Sequence, residues 1–340
     1  MRNVSSLILL TALAAPFASH AQDVTVLVQP GAKPNGPDVY PTIQNAIDHA
    51  PEPGPNGRVT IRITPGTYHE RLWIPRNRPN LTLVGLGKPE DTVITSDHFA
   101  KQSGGTFFTQ TVEVLGDGFR AANLTFENSA GNVGQAVAVA VLADKAIFKH
   151  CRFLGYQDTL FANWGRQFYT DDYIEGAVDY VFGNAAAVFT KTEFHNIAPG
   201  YITAQSRLSE SEPTGYIIRD SHLTFAPGAD GTAMTDNVAH KTAHGVFFGR
   251  PWRPYSRVIF INTNIDKGLE PAGWSDWDNG GILKTAFYAE HNSTGPGASP
   301  TTRTPYARKL TAADLKHFET HEFLKGKDNW NPEAEAAQLP

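Results

Sequence analysis

Pairs of apolar residues six apart recur along the second half of this 340-residue chain at a step near 21. The pairs are Ile147/Phe153, Phe168/Ile174, Val188/Phe194, Ile217/Leu223 and Ile259/Ile265, whose second members advance by 21, 20, 29 and 42 residues. The first two steps read as one repeat each. The third reads as one repeat with an insertion around 206–214. The fourth is either two repeats or one repeat with a long loop through 227–244. Segments 24–28, 59–63, 81–84, 111–115 and 136–142 alternate or run in β-branched residues, with glycine, asparagine and proline between them. Short strands at this period, with no helices between them, predict a β-solenoid. A β-sandwich would turn every 8–12 residues or so instead.

Two short helices are expected to flank the strands. Ile43, Ala46, Ile47 and Ala50 share one helical face behind Thr42 as cap. Thr311 and Asp314 form a capping-box pattern that opens a helix through about Leu324. Open coil ends expose unpaired strand edges, so both helices are expected to cover the ends of the stack.

Residues 1–21 have the pattern of a secretory signal: Arg2, an apolar run from Ser6 to Phe17, then Ser19-His20-Ala21 as a small-x-small cleavage site. Cleavage would leave residues 22–340 as one solenoid domain, secreted or periplasmic. No later stretch approaches the roughly 20 apolar residues of a membrane span, so no membrane association is expected. Arg2 is the only charged residue of that segment, so its loss takes the net charge from −5 to −6. A mildly acidic chain without a basic cluster is a poor partner for nucleic acid. Cys151 is the only cysteine, which excludes a disulfide within the chain, and its neighbours Phe148 and Phe153 suggest a buried structural thiol.

The polar residues that keep time with the repeat are Gln135, Gln157, Asp158 and Asp179. From Gln135 to Gln157 is 22 residues and from Asp158 to Asp179 is 21. In a parallel solenoid, equivalent residues of successive coils lie about 4.8 Å apart, which brings the two carboxyl groups within roughly 5 Å. Two anions at that distance repel, so one must be protonated or paired with a cation. Arg250 is the natural cation, because a guanidinium grips a carboxylate as a fork. An anion beside a proton donor suits retaining glycoside hydrolysis, or ester cleavage by an aspartate nucleophile. The glutamines favour the ester. A tetrahedral oxyanion uses two amide donors, each worth roughly 3 kcal/mol of barrier, whereas an oxocarbenium ion has no use for them.

Other signals carry less. His240/His244 and His317/His321 have a helical metal spacing but no His-Glu-x-x-His pattern. There is no Gly-x-Ser-x-Gly elbow and no phosphate-binding loop. Gly66–Glu70 reads as a structural turn.

Taken together these segments resemble the pectin methylesterases (carbohydrate esterase family 8). The resemblance covers most of the mature chain: Gly66-Thr67-Tyr68-His69-Glu70, Thr106-Phe107, 155–160, 173–187, Ile202-Thr203-Ala204-Gln205, 249–253, 271–277 and 292–298. It implies a right-handed parallel β-helix and removal of methyl esters from galacturonate residues of pectin, with release of methanol. It implies no metal and no organic cofactor. Carried over by motif, Asp179 is the nucleophile and Asp158 the acid that then becomes the base. Gln157 and Gln135 are the oxyanion donors, and Arg250 is the partner of Asp179. Thr106 and Trp252 match sugar contacts, and Phe161, Val178 and Phe182 match the groove lining; Gln135 and Arg250 also face the substrate. The expected partner is pectin, acted on by a monomer.

The chain departs from the family at Ala140, where arginine is usual, and at Phe161, where many members have tyrosine. Tyr180 and Val181 vary the pattern beside Asp179. The competing readings are a polygalacturonase or lyase on the same fold, and a solenoid that only binds polysaccharide. Net charge adds one expectation: an acidic enzyme prefers highly methylated, nearly neutral pectin, unless Arg166, Arg207 or Arg253 lines the groove.

Overall fold

Segments Val24–Val28 and Val59–Ile63 bury alternate residues and pair in parallel register, Val24 opposite Val59 through Val28 opposite Ile63. The same pairing repeats from coil to coil. In this computed structural model, which describes residues 23–33, 38–230, 245–277 and 280–340, it builds an eleven-stranded sheet from Val39–Tyr40 to Phe287–His291. A second sheet of thirteen strands supplies two further faces, because Tyr173–Gly183 and Glu193–Gln205 each run round the corner between them. Every paired strand is parallel to its neighbour, and the chain is a parallel β-helix with three faces. The signal segment and His240/His244 lie outside the described residues.

Both repeat columns are real. Ile147, Phe168, Val188, Ile217 and Ile259 are register partners on the first face. Phe153, Ile174, Phe194, Leu223 and Ile265 are partners on the second. Ile217 pairs directly with Ile259, so the step of 42 is one coil with a long insertion. The columns differ in direction. The second points into the coil interior, where Phe148, Tyr169 and Phe189 stack at centroid spacings of 5.0 and 4.5 Å. The first points outward into a separate apolar cluster.

That outward cluster explains a correction at the C-terminus. The expected helix at 311–324 breaks into Ala312–His317 and Thr320–Leu324, and a third helix follows at Pro332–Ala336. The Thr311/Asp314 capping box forms, but Phe318 leaves the helix and turns inward, 2% exposed. Phe318, Leu324, Trp330, Ala336 and Leu339 then cover the outward column. These helices therefore lie along the side of the stack and do not close its end. Arg219 to Glu319 (3.1 Å), Arg166 to Asp328 (2.5 Å), Arg120 to Glu335, and Lys149 to the Leu339 carbonyl (2.7 Å) fasten them back across successive coils.

At the other terminus Ile43–His49 buries Ile43, Ala46 and Ile47 against the first strands, and Thr42 caps it by accepting from Asn45 N at 3.1 Å. Glu70 adds a second cap, its two oxygens accepting from Ile43 N (3.1 Å) and Gln44 N (3.0 Å). The Gly66–Glu70 segment is thus structural.

At the corner between the first and second faces, one residue in each of seven successive coils adopts left-handed backbone. Asn123, His150, Asp171, Lys191, Asp220, Asn262 and Asn292 occupy this position with φ between 49 and 57°. Asn292 Nδ2 donates to Asn262 Oδ1 (2.8 Å), and Asn262 Nδ2 to Asp220 Oδ1 (2.9 Å). The next position inward holds Cys151 and Asp172; Cys151 N donates to Asp172 Oδ1 at 2.6 Å. Burial pushes the Cys151 thiol well up, as befits a structural cysteine.

Candidate active site

The polar column sits where the chain enters the third face. Gln135 bridges to Gln157, and Gln157 to Val178, on three successive coils. Two irregularities interrupt the strand alternation there. Thr159 O accepts from both Ala138 N (2.9 Å) and Val139 N (3.2 Å), and Tyr156 O from both Ala177 N (2.7 Å) and Val178 N (3.2 Å). Bulges of this kind re-aim side chains out of the regular alternation. Asp158 and Asp179 follow Gln157 and Val178 directly, both on left-handed backbone, with φ of 65 and 50°. They are therefore equivalent residues of adjacent coils, about 4.8 Å apart along the stack.

Arg250 comes from two coils further on. Gly249, which precedes it, pairs with Thr203, and Thr203 with Val181 of the Asp179 strand. A Cβ at Gly249 would meet the Thr203 carbonyl oxygen at 2.4 Å, so only glycine allows this approach. The arginine reaches back across the intervening coil. Its Nε donates to Asp179 Oδ1 at 3.0 Å and its Nη2 to Asp179 Oδ2 at 2.6 Å. The side chains are 3% and 7% exposed. The guanidinium also lies over the Tyr201 ring (4.2 Å) and the Trp277 ring (4.0 Å), which fix its plane.

Burial first, and then the negative charge of Asp179, raise the Asp158 carboxyl well above the usual range, against a smaller opposing pull from Arg250. The pair thus sets one carboxylate gripped in a fork beside one that holds its proton more tightly than usual. Beside them, Gln157 Oε1 is buried with no hydrogen-bond partner among the described residues. An orphaned buried amide oxygen costs about 1–3 kcal/mol, so this amide is oriented at the expense of stability. Gln135 is half-buried one coil earlier.

The remaining residues singled out in the sequence fall into two groups. Phe161 and Phe182 stack at 4.6 Å, and Trp252 continues the row 6.0 Å from Phe182. Thr106 lies half-buried in the helical turn Thr106–Phe108, whose Phe107 packs on Phe161 at 5.0 Å. Val178 differs: it is fully buried with Tyr156, Tyr201 and Phe247, so it shapes the floor from below. Of the three arginines with a possible bearing on the groove, Arg166 is bound to Asp144 and Asp328. Arg207 is 3% exposed and holds the carbonyls of Glu210, Glu212 and Tyr255. Arg253 alone stands at the site, against the Trp252 ring at 5.0 Å.

Sequence reading missed Tyr201 and Trp277. Tyr201 pairs with Val178 and so continues the same column one coil on, a signal the period carried. Trp277 ends the 271–277 segment, where only the guanidinium beneath it reveals its role.

The family model described as Pectinesterase matches residues 32–327. Pectinesterase 31 of Arabidopsis thaliana is 37% identical over 301 residues, covering 85% of this chain and 90% of that protein. Against longer relatives such as two pectinesterase/pectinesterase inhibitor proteins of the same plant, the chain spans about half the length, 52% and 42%. Among solved structures, the pectin methylesterase from carrot superposes with a TM-score of 0.81 at 30% identity, over 96% of this chain and 98% of that one. A pectin methylesterase in complex with a hexasaccharide superposes at 0.70 with 26% identity, over 94% and 100%.

Proposed function

We propose a reaction on one premise: this chain belongs to the pectinesterase family. The reaction is hydrolysis of the methyl esters of galacturonate residues in pectin, releasing methanol. The observation that carries it is the pairing of Asp179, gripped by Arg250 at 3.0 and 2.6 Å, with the buried Asp158 of the preceding coil.

The Asp179 carboxylate attacks the ester carbonyl carbon. The carbonyl oxygen becomes an oxyanion facing the amide N–H groups of Gln157 and Gln135. As the tetrahedral intermediate collapses, Asp158 gives its proton to the departing methoxide, and methanol leaves an anhydride on Asp179. Water then adds to the galacturonyl carbon while Asp158, now a carboxylate, takes one of its protons. The uronic acid departs and loses its remaining proton to solvent, and both aspartates return to their starting states. Arg250 grips and aims Asp179, Asp158 supplies the proton and the amides receive the oxyanion, so the cycle needs no metal or organic cofactor. Thr106, Phe161, Phe182 and Trp252 contact the sugar chain. The protein is exported and acts as a monomer. No described helix is long and apolar enough to cross a membrane.

The test is methanol release from methylated pectin without new reducing ends. Chain cleavage instead of methanol would turn the assignment toward a glycosidase or lyase.

A further inference from the structure

The groove does not stop at the carboxylate pair. On the third face the outward residues of successive coils form one column, Trp73, Glu113, Ala140, Phe161 and Phe182, each in register with the next. From Phe161 toward the N-terminal coils, a recess of about 300 Å³ opens along this column. Phe107, Val137, Ala140, Leu142 and Phe161 give it a largely apolar wall beside the amides of Gln110 and Asn163, and among the described residues Glu113 is the only ionisable one that lines it. Among the described residues Glu113 has neither an ion-pair nor a hydrogen-bond partner. Its register neighbours, Trp73 and Ala140, carry no charge, and Arg71 on the preceding coil is committed to the carbonyls of Phe108 (2.9 Å) and Gln110 (3.1 Å).

Trp73 stands at the far end with its indole 52% exposed. Its backbone is nevertheless clamped on both sides by one side chain. Trp73 N donates to Gln44 Oε1 at 2.8 Å, and its carbonyl accepts from Gln44 Nε2 at 3.2 Å. A large ring held in the open on a fixed strand offers a flat apolar platform.

We infer that this column is an extended subsite for a methyl-esterified stretch of the polymer, with Trp73 as a stacking platform and Glu113 excluding free uronate carboxylates. The inference rests on the pectin reading above. A methyl ester brings no charge to Glu113 and offers a methyl group to the apolar walls. A free carboxylate meets a like charge; at about 6 Å in water that repulsion amounts to roughly a threefold loss of binding. Trp73 is three coil steps from Phe161, roughly 14 Å, beyond the reach of a very short substrate seated at the carboxylates.

The experiment compares wild type, Trp73→Ala and Glu113→Gln by methanol release from highly methylated pectin, sparsely methylated pectin and a fully methylated digalacturonate. Trp73→Ala should lower kcat/KM on the highly methylated polymer about fivefold, mainly through KM, the scale of one lost aromatic contact, and by much less on the disaccharide. Glu113→Gln should raise kcat/KM on sparsely methylated pectin about threefold, and the gain should shrink as salt is added. Equal losses of Trp73→Ala on long and short substrates would mean general damage to the strand and overturn the platform. An unchanged ratio between the two pectins for Glu113→Gln would overturn the charge selection. Wild type active on pectin with both variants unaltered removes the subsite alone, whereas wild type that releases no methanol from any substrate removes the pectin reading with it.

Discussion

At the corner between the first and second faces, seven coils in succession present a left-handed residue to solvent, and those from Asp220 to Asn292 are bonded side chain to side chain. At the corner leading into the third face, Asp158 and Asp179 take up the same backbone on adjacent coils but are buried, 7% and 5% exposed. The strain is alike in both places, about 1–2 kcal/mol per non-glycine residue. The difference lies in what surrounds the side chains. In the open corner, water screens each charge and neighbouring amides complete the bonding. In the buried corner a single arginine stands beside two carboxyls and grips only Asp179, while burial and that neighbouring charge raise the pKa of Asp158. On the mechanism proposed above, a stacked polar column becomes reactive when burial is combined with too few partners, and left-handed geometry alone does not achieve this.

The largest effect should come from removing the anion. Asp179→Asn matches the carboxylate in size and should lower kcat by about 10⁴-fold or more while leaving the thermal melt cooperative. Substantial turnover in a deamidation-checked sample would place the nucleophile elsewhere. Next is Asp158→Asn, expected to cost about 10²–10⁴-fold on methyl esters, with partial recovery on an ester of a better leaving alcohol. Equal losses on both esters would contradict its role as acid. This variant also has a stability signature. The raised carboxyl pKa means that the stabilising contribution of neutral Asp158 is complete below the unfolded-state pKa, about 3.9, and is lost as pH rises through the folded-state value. Asp158→Asn should therefore gain in Tm relative to wild type as the pH is raised through the folded-state pKa of Asp158, and wild-type kcat should fall over the same interval.

Arg250→Lys should lose about 10–100-fold, mostly in kcat, because lysine keeps the charge but loses the fork and its contacts with Tyr201 and Trp277. A pure KM effect would make Arg250 a substrate contact instead. The smallest effect belongs to the open corner. Asp220→Ala gives up the bond from Asn262 and places alanine in left-handed backbone, so stability should drop by about 1–2 kcal/mol with kcat/KM unchanged. A loss of activity there would break the contrast between the two corners.

The repeat was legible because burial imposes it: Phe153, Ile174, Phe194, Leu223 and Ile265 fill one interior column, and the period that finds them also finds Gln157, Asp158 and Asp179. Which way the partner column faces was not legible. Ile147, Phe168 and Val188 look like core residues, and they are covered, but by the C-terminal helices and not by the coil. The step of 42 could not be resolved by counting, since an insertion and an extra coil of that length leave the same period. Arg250 lies 71 residues from its carboxylate, across both insertions, so spacing alone would not have found it. The helix break at Phe318 was hidden for a related reason, because its pull toward the sheet is tertiary.

The helices laid along the first face alter how this stack can come apart. Coils that touch only their neighbours unravel one at a time, like a spring released from either end. A strip running from Arg219 back to Arg120 acts as a splint, tying together coils with no other contact and favouring a single cooperative unfolding event.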